Sequence, residues 1–107
     1  KQSEALHLMR QYLQDGTDDL DLLTTAYLLG LRAKDWPLAL QGFALRNQHW
    51  PMLAWDGWLK MGDIYALPEV ADDARALQAY RAAVAAVDAS QKDAVRQKVP
   101  PSYRSRL

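Results

Sequence analysis

The stretch WLKMGDIY, residues 58–65, carries large and small residues at helical spacing, and this pattern restricts the fold more than any other feature of the chain. Trp58, Gly62 and Tyr65 stand at offsets 0, 4 and 7, which places them on one face of an α-helix. A glycine on such a face lets a second helix approach closely, while the aromatic residues fill the space beside the contact. The stretch therefore predicts helix packing rather than a chemical site.

The same kind of spacing recurs elsewhere in the chain. Ala76 and Tyr80 stand four residues apart, and Ala39 and Phe43 repeat that spacing 37 residues earlier. Self-similarity at such a period is typical of proteins built from stacked supersecondary units. We therefore expect a series of similar helix pairs.

Nearly every segment favours helix, because Ala, Leu, Gln, Arg and Asp dominate and apolar and polar residues nowhere alternate as they do in a strand. Aspartates supply candidate N-caps, while glycine and proline supply the stops. Ser90, with Asp93 three residues on, resembles a capping box. The predicted helices run from about 2 to 14, from 18 or 19 to 34, from 35 to 48, from 51 to 66, from 72 or 73 to 87, and from 90 to 98.

Composition excludes several classes of function. The 13 basic and 13 acidic side chains cancel, so the chain lacks the excess of Lys and Arg that phosphate binding needs, and nucleic acid is not an expected partner. The chain has no cysteine and therefore no disulfide or thiolate chemistry. No apolar run approaches the roughly 18 residues of a membrane span, so direct membrane insertion is not expected. The start at Lys1 rather than Met suggests a processed protein or a fragment of a larger chain, and the sequence does not decide between cytoplasm and periplasm.

Residues 55–88 resemble the tetratricopeptide repeat (TPR), a helix–turn–helix unit of about 34 residues. The turn ALPEVADD is two residues longer than the family's, and Asp88 replaces the closing proline. Residues 20–53 match more loosely. There Leu23, Tyr27 and Gly30 stand where the family has Trp, Gly and Tyr, so large and small residues have exchanged places. The family's key positions in the better repeat are occupied by Trp58, Met61, Gly62, Tyr65, Ala76, Tyr80 and Ala83.

This resemblance implies an all-α fold, a TPR-like right-handed stack of antiparallel helix pairs with about two and a half repeats and a C-terminal capping helix. Residues 1–98 would form the repeat domain. The first helix would be the second helix of a preceding repeat, with Ala5, Met9 and Tyr12 at its key positions. We expect residues 99–107 to form an extended basic tail, acting as a solvated linker or a weak basic arm.

Catalytic and metal-binding patterns are not evident. His7 and His49 are far apart in sequence and lack the spacing of zinc ligands. The segment DGTDDLD, residues 15–21, has four carboxylates but lacks the glycine and distal glutamate of a calcium loop, and helix capping explains Asp18 and Asp19. No nucleophile motif, phosphate loop or dinucleotide motif is present. We expect no enzyme activity, no cofactor and no metal.

The resemblance also implies a binding surface, because the first helices of TPR pairs line a groove that holds a segment of another protein. Leu28 and Leu59 would be its apolar anchors, unless they pack against a neighbouring repeat instead. The lysine and asparagine clamp by which some members grip a C-terminal carboxylate is not reproduced. Transferred by position, the groove residues are Thr24, Leu28, Arg32, Asp56, Leu59, Lys60 and Asp63.

The expected function is a non-enzymatic protein-interaction scaffold within a larger protein. Residue usage resembles that of bacterial proteins, for which the family implies roles in envelope assembly, secretion or polysaccharide export. The alternative is a structural spacer or self-association domain without a groove ligand. A helix-turn-helix nucleic-acid binder is disfavoured, because the third helix offers only Arg46 as a basic residue. Trp50 either packs at a repeat junction or anchors a partner at the surface.

Overall fold

The computed structural model describes residues 2–107, and in this part of the chain all regular structure is helical. Short 3₁₀ turns at Pro51–Leu53 and Ala89–Gln91 precede the fourth and sixth α-helices. The predicted all-α fold is thus confirmed, and the first five helices lie close to their predicted positions. The α-helices are α1 (Gln2–Gln14), α2 (Leu20–Ala33), α3 (Trp36–His49), α4 (Ala54–Tyr65), α5 (Asp73–Ala85), α6 (Lys92–Gln97) and α7 (Pro101–Arg104).

Aspartate side chains start three of these helices. The carboxylates of Asp19, Asp35 and Asp72 accept hydrogen bonds from backbone N–H groups in the first turns of α2, α3 and α5. Each cap satisfies a donor that the helix itself leaves free. The capping box predicted at Ser90 does not form, because a 3₁₀ turn occupies residues 89–91 and α6 begins at Lys92 without a side-chain cap.

Helices adjacent in sequence pack against each other, and the contacts within each pair depend on glycine. In the α2–α3 pair, a Cβ atom added to Gly30 would lie 2.7 Å from the backbone nitrogen of Ala39. In the α4–α5 pair, a Cβ added to Gly62 would lie 2.5 Å from the ring of Tyr80. No other residue fits either position without displacing the partner helix. The predicted packing role of Gly62 is therefore confirmed.

In residues 20–53, where large and small residues have exchanged places, a ring still packs against a glycine of the partner helix. Tyr27 of α2 stacks on Phe43 of α3, with ring centroids 4.1 Å apart and an interplanar angle of 18°. Gly42 of α3 lies against the Cβ of Tyr27, so here the ring comes from the first helix and the small residue from the second. In the second repeat the first helix supplies Gly62 and the second supplies Tyr80. Both pairs thus place an aromatic residue of one helix against a glycine of the other.

The core forms three successive clusters rather than one centre. This layered arrangement is typical of stacked repeats, in which each unit contacts its neighbours. The N-terminal cluster contains Met9, Leu13, Leu23, Ala26 and Leu38. The middle cluster contains Ala39, Phe43, Met61, Ile64 and Ala79. The C-terminal cluster contains Leu59, Ala76, Tyr80, Ala83, Val84, Val95 and Val99.

Helix α1 packs through a face different from the one predicted. Met9 and Leu13 are buried against α2 and α3, as Met9 was expected to be. Tyr12, predicted to be a key packing position, is 38% exposed, and Leu8 is 44% exposed. These two side chains point away from the rest of the stack, and the prediction for Tyr12 was therefore wrong.

The C-terminal segment is not extended, and the prediction of an extended tail at residues 99–107 was wrong. Val99 is fully buried, residues 101–104 form α7, and the ring of Tyr103 lies 5.1 Å from that of Tyr80. Leu107 also packs against the C-terminal cluster. Helix α6 is short, so α7 and its flanking residues cover the part of α5 that α6 does not reach.

The tail's arginines make intramolecular contacts. Arg104 donates hydrogen bonds to the backbone carbonyls of Arg96, Gln97 and Val99, which satisfies acceptors at the end of α6. Arg106 donates two hydrogen bonds to the carboxylate of Asp73, at 3.0 and 2.8 Å. These contacts fix residues 99–107 to the domain, so the segment is neither a solvated linker nor a free basic arm.

Replacing Gly62 with alanine is expected to destabilise the fold. Alanine gains about 1 kcal/mol in helix propensity over glycine, but overpacking a core typically costs about 1–3 kcal/mol. Because the ring of Tyr80 is fully buried, we expect the two effects to leave a net loss of up to about 2 kcal/mol in the free energy of unfolding, measured by urea titration. Gln48→Ala, at an exposed position of α3, is the control and should stay within about 0.5 kcal/mol of wild type. A Gly62→Ala protein about 1 kcal/mol more stable than wild type, as helix propensity alone gives, would contradict the close packing.

Acid is expected to weaken the ion pair that ties the C-terminal segment to α5. Arg106 and the Tyr103 hydroxyl hold the pKa of Asp73 below its ordinary value of 3.8. A carboxyl whose pKa is lowered by folding stabilises the folded state above the unfolded pKa, and that stabilisation is lost as the pH falls through the lowered value. The NMR signals of Tyr103 and Arg106 should therefore keep their native shifts at and above pH 3.8 and change below it, while Val99 stays packed in the C-terminal cluster. Asp73→Asn should remove this acid transition. An unchanged transition in Asp73→Asn would assign it to another group.

Candidate protein-binding site

The two leucines predicted as anchors have different environments. Leu28 of α2 is 53% exposed, as an anchor requires. Leu59 of α4 is only 6% exposed and belongs to the C-terminal cluster together with Val95 and Val99. Since α6 covers it, Leu59 cannot anchor a ligand, and its prediction as a groove residue was wrong. Leu59 packs inside the C-terminal cluster together with side chains of α5 and α6, so its contacts are with its own pair and the capping helix rather than with a further repeat.

Asp56 has a structural contact of its own. Its carboxylate lies 3.2 Å from the guanidinium of Arg46, a buried side chain that also lies over the ring of Tyr27. A buried cation needs such a partner, because an uncompensated charge in the core is costly. Asp56 thus joins the two repeats, and its half-buried carboxylate is already engaged. Thr24 is also half-buried.

Lys60 and Asp63 line an apolar cleft at the junction of the two repeats. The cleft has a volume of about 230 Å³. Lys60 and Asp63 are exposed, whereas the other lining residues are apolar and mostly half-buried. The residues that line this inter-repeat cleft are Leu31, Trp36, Lys60, Asp63, Ile64 and Leu67.

Asp63 is held in place by Tyr80. The Tyr80 hydroxyl donates a 2.6 Å hydrogen bond to Oδ1 of Asp63. Burial and this carboxylate both raise the pKa of Tyr80, so the phenol stays protonated and keeps donating at physiological pH. The second carboxylate oxygen of Asp63 remains able to accept a hydrogen bond from a ligand. The contact therefore fixes an acceptor at the edge of the inter-repeat cleft.

Lys60 provides a cation at the same edge. No carboxylate of residues 2–107 lies within ion-pair distance of its ammonium group. An exposed lysine and an anchored carboxylate beside an apolar cleft can bind the polar groups of a peptide while the cleft takes an apolar side chain. Burying one large apolar side chain contributes about 1.5–3 kcal/mol, so the cleft alone supports weak, reversible binding.

Leu28 and Arg32 line a second, shallower depression on α2. Its volume is about 190 Å³, and Thr25 and Leu29 complete it. Leu28 lies one helical turn before Leu31, so α2 carries apolar side chains from this depression to the inter-repeat cleft. The structure thus places the surviving groove residues in two neighbouring depressions rather than one.

Four residues that line the cleft, Leu31, Trp36, Ile64 and Leu67, were not among the groove residues predicted from the sequence. Leu31 and Trp36 stand at the end of α2 and the start of α3, where the repeat alignment assigns packing and a turn. The only available signal was the i, i+3 spacing of Leu28 and Leu31, which puts two leucines on one face of a helix. The contribution of Trp36 depends on the approach of α4 and has no local signature.

Trp50 and Trp55 pack inward. Trp50 is half-buried against the N-terminal cluster, and its indole nitrogen is buried. Trp55 is half-buried against the C-terminal cluster. Trp50 thus packs at the repeat junction, and the alternative of a surface anchor is not favoured.

The described part of the chain offers neither a metal site nor a membrane-spanning helix. Among residues 2–107, no three side chains of His, Asp or Glu come together in a way that could hold a metal ion. None of the helices in the same range is long and apolar enough to cross a membrane. Comparisons with protein-family models, with curated proteins and with solved structures gave no match. The TPR resemblance therefore remains a prediction from the sequence.

Replacing Leu28 and Leu59 with alanine should distinguish a surface side chain from a core side chain. Leu59→Ala removes a buried side chain and is expected to lower the free energy of unfolding by about 2–5 kcal/mol, whereas Leu28→Ala should change it by at most about 0.5 kcal/mol. Both leucines lie in helices, so helix propensity affects the two variants alike, and urea unfolding followed by circular dichroism gives the comparison. Equal losses would mean that Leu28 is also covered.

Proposed function

We propose that this chain is a non-enzymatic, TPR-like protein-interaction module that binds a peptide segment of another protein across α2 and α4. The observation that carries the proposal is the inter-repeat cleft, where apolar walls meet an unpaired lysine and an anchored carboxylate. This combination is what recognition of a short segment requires, because the apolar contact supplies affinity and the polar groups fix orientation.

The cleft fits a segment that presents one bulky apolar side chain toward Leu31, Trp36 and Ile64. Asp63 would accept a hydrogen bond from a backbone N–H of the ligand, and Lys60 would donate to a carbonyl or carboxylate. A second apolar side chain of the ligand would reach Leu28, one helical turn away along α2. Two such anchors raise the affinity above what the cleft alone provides.

Nothing in the cleft favours catalysis over binding. A catalytic site needs a nucleophile or a general acid or base with a tuned pKa. Asp63 is engaged by Tyr80, and the cleft residues include no serine, threonine, cysteine or histidine that could act with it as a nucleophile or proton carrier. The shifted pKa values of Asp73 and Arg106 follow from the ion pair that docks α7, and the pKa of Tyr103 is raised by burial and then by its contact with Asp73, all outside the cleft.

The biological setting is proposed from the sequence. Residue usage and the TPR resemblance favour a bacterial scaffold protein of which this module is a part, with roles in envelope assembly, secretion or polysaccharide export as the candidate processes. A spacer or self-association domain without a groove ligand is the alternative.

A selection from a random peptide library tests the proposed function. The immobilised domain should enrich peptides that share a bulky apolar residue. Wild type should bind these peptides with NMR shift changes centred on the side chains of Leu31, Trp36 and Ile64. Lys60→Glu, an exposed substitution at the rim, should weaken binding about tenfold, equivalent to about 1.4 kcal/mol.

Lys98→Glu is the matched control, because it reverses the same charge on an exposed lysine outside the cleft. It should bind the selected peptides as wild type does. Failure to enrich any peptide, or shift changes confined to surfaces away from the cleft, would reject the groove and favour the spacer.

A further inference from the structure

The exposed face of α1 is apolar in its middle and acidic at both ends. Leu8 and Tyr12 stand one turn apart and are 44% and 38% exposed. Glu4 lies one turn before them, and Asp15 follows Tyr12 on the same face; both are exposed. We call these four residues, Glu4, Leu8, Tyr12 and Asp15, the N-terminal face.

The repeat itself indicates that this face is a packing surface. In α3, the residues 34 positions after Ala5 and Leu8 are Ala39 and Gly42, and both are buried against α2. Among residues 2–107, no helix covers the corresponding face of α1. Two large apolar side chains are thus exposed where the same helix position elsewhere in the chain is covered.

The opposite end of the stack carries a pocket of complementary character. It has a volume of about 260 Å³, an apolar floor of Val84, Ala85 and Leu107, and basic side chains around it. Arg81 and Lys92 donate to neutral backbone carbonyls, so their charges are not neutralised, whereas Arg96 pairs with the exposed carboxylate of Asp93 at 3.1 Å. We call this the C-terminal pocket; its basic residues are Arg81, Lys92 and Arg96.

Charge is distributed unequally along a chain that is neutral as a whole. Residues 1–33, up to the end of α2, carry five acidic and three basic side chains, a net charge of −2. Residues 73–107, from the start of α5, carry seven basic and three acidic side chains, a net charge of +4. The helices follow each other along the stack, so this difference in sequence becomes a difference between its two ends.

We propose that the N-terminal face of one copy docks into the C-terminal pocket of a second copy, so that the domain associates head to tail. Leu8 and Tyr12 would pack on the floor formed by Val84, Ala85 and Leu107. Glu4 and Asp15 would lie opposite the basic residues of the pocket. Both the apolar and the charged parts of the two surfaces then match.

The charges also select against the symmetric alternatives. Two N-terminal faces brought together would oppose Glu4 and Asp15 with their own copies, and two C-terminal pockets would oppose like positive charges. Like charges across an interface disfavour association. A head-to-tail contact leaves one surface of each type free at the ends of the assembly, so it can continue to a third copy.

Sedimentation equilibrium of the isolated chain tests this proposal. The average mass should rise with protein concentration beyond that of a dimer at about 0.02 M salt. It should fall back toward the monomer at about 1 M salt, where the screening length drops to about 3 Å. A mass that stays monomeric at all concentrations would overturn the proposal.

Two end variants identify the surfaces. The double variant Leu8→Lys/Asp15→Lys changes only the N-terminal face, and Ala85→Glu/Arg96→Glu changes only the C-terminal pocket. All four positions are exposed, so both variants should fold, which circular dichroism can verify. Each variant alone should be monomeric. Their equimolar mixture should form a heterodimer and nothing larger, because only one compatible pair of surfaces remains.

Glu69→Lys and Lys60→Glu are matched charge reversals outside both ends and should associate as wild type does. Self-association by either end variant alone would show a symmetric contact and reject the head-to-tail geometry. A monomeric mixture would likewise reject it. Lys60→Glu also alters the inter-repeat cleft, so normal association of this variant would separate the contact from peptide binding.

Discussion

The stack depends on the contact between Tyr80 and Gly62. The ring of Tyr80 is fully buried and occupies the space that any side chain at position 62 would need. The same ring meets Tyr103 of the C-terminal segment, and its hydroxyl donates to Asp63. One side chain therefore joins α4, α5 and α7, and sets the distance between the helices of the second pair.

This contact also links packing to the proposed binding surface. Asp63 stands at the rim of the inter-repeat cleft, and the hydrogen bond from Tyr80 limits where its carboxylate can lie. A ligand that uses Asp63 meets a group already oriented by the core, so less conformational entropy is lost on binding. Lys60, three residues earlier, has no such support and can adapt to its ligand. The rim thus combines one fixed and one mobile polar group.

The sequence was sufficient for features that depend on local chemistry. Aspartate caps gave the starts of α2, α3 and α5, because capping requires only the residue itself and its neighbouring backbone groups, and Pro51 and Pro68 follow the ends of α3 and α4. Gly62 was identified as a packing residue because the helical period places it on one face with Trp58 and Tyr65, and Tyr80 because it shares a face with Ala76.

Features that depend on distant contacts were not predictable in the same way. Residues 99–107 lack helical periodicity, and Pro100 and Pro101 suggest an extended chain, yet the segment is ordered by Tyr80 and Asp73, which lie far away in sequence. Leu59 has the same local pattern as Leu28, and only the presence of α6 above it decides its burial. Trp36 reaches the cleft because α4 packs where it does.

The layered core has a consequence for how the molecule opens. Helix α1 contributes only Met9 and Leu13 as buried side chains, whereas α5 is covered by α4, α6 and the C-terminal segment. In a structure whose layers contact only their neighbours, opening at one end need not disturb the next layer. Local unfolding should therefore begin at α1, and amide hydrogens around Tyr80 should be the last to exchange with solvent.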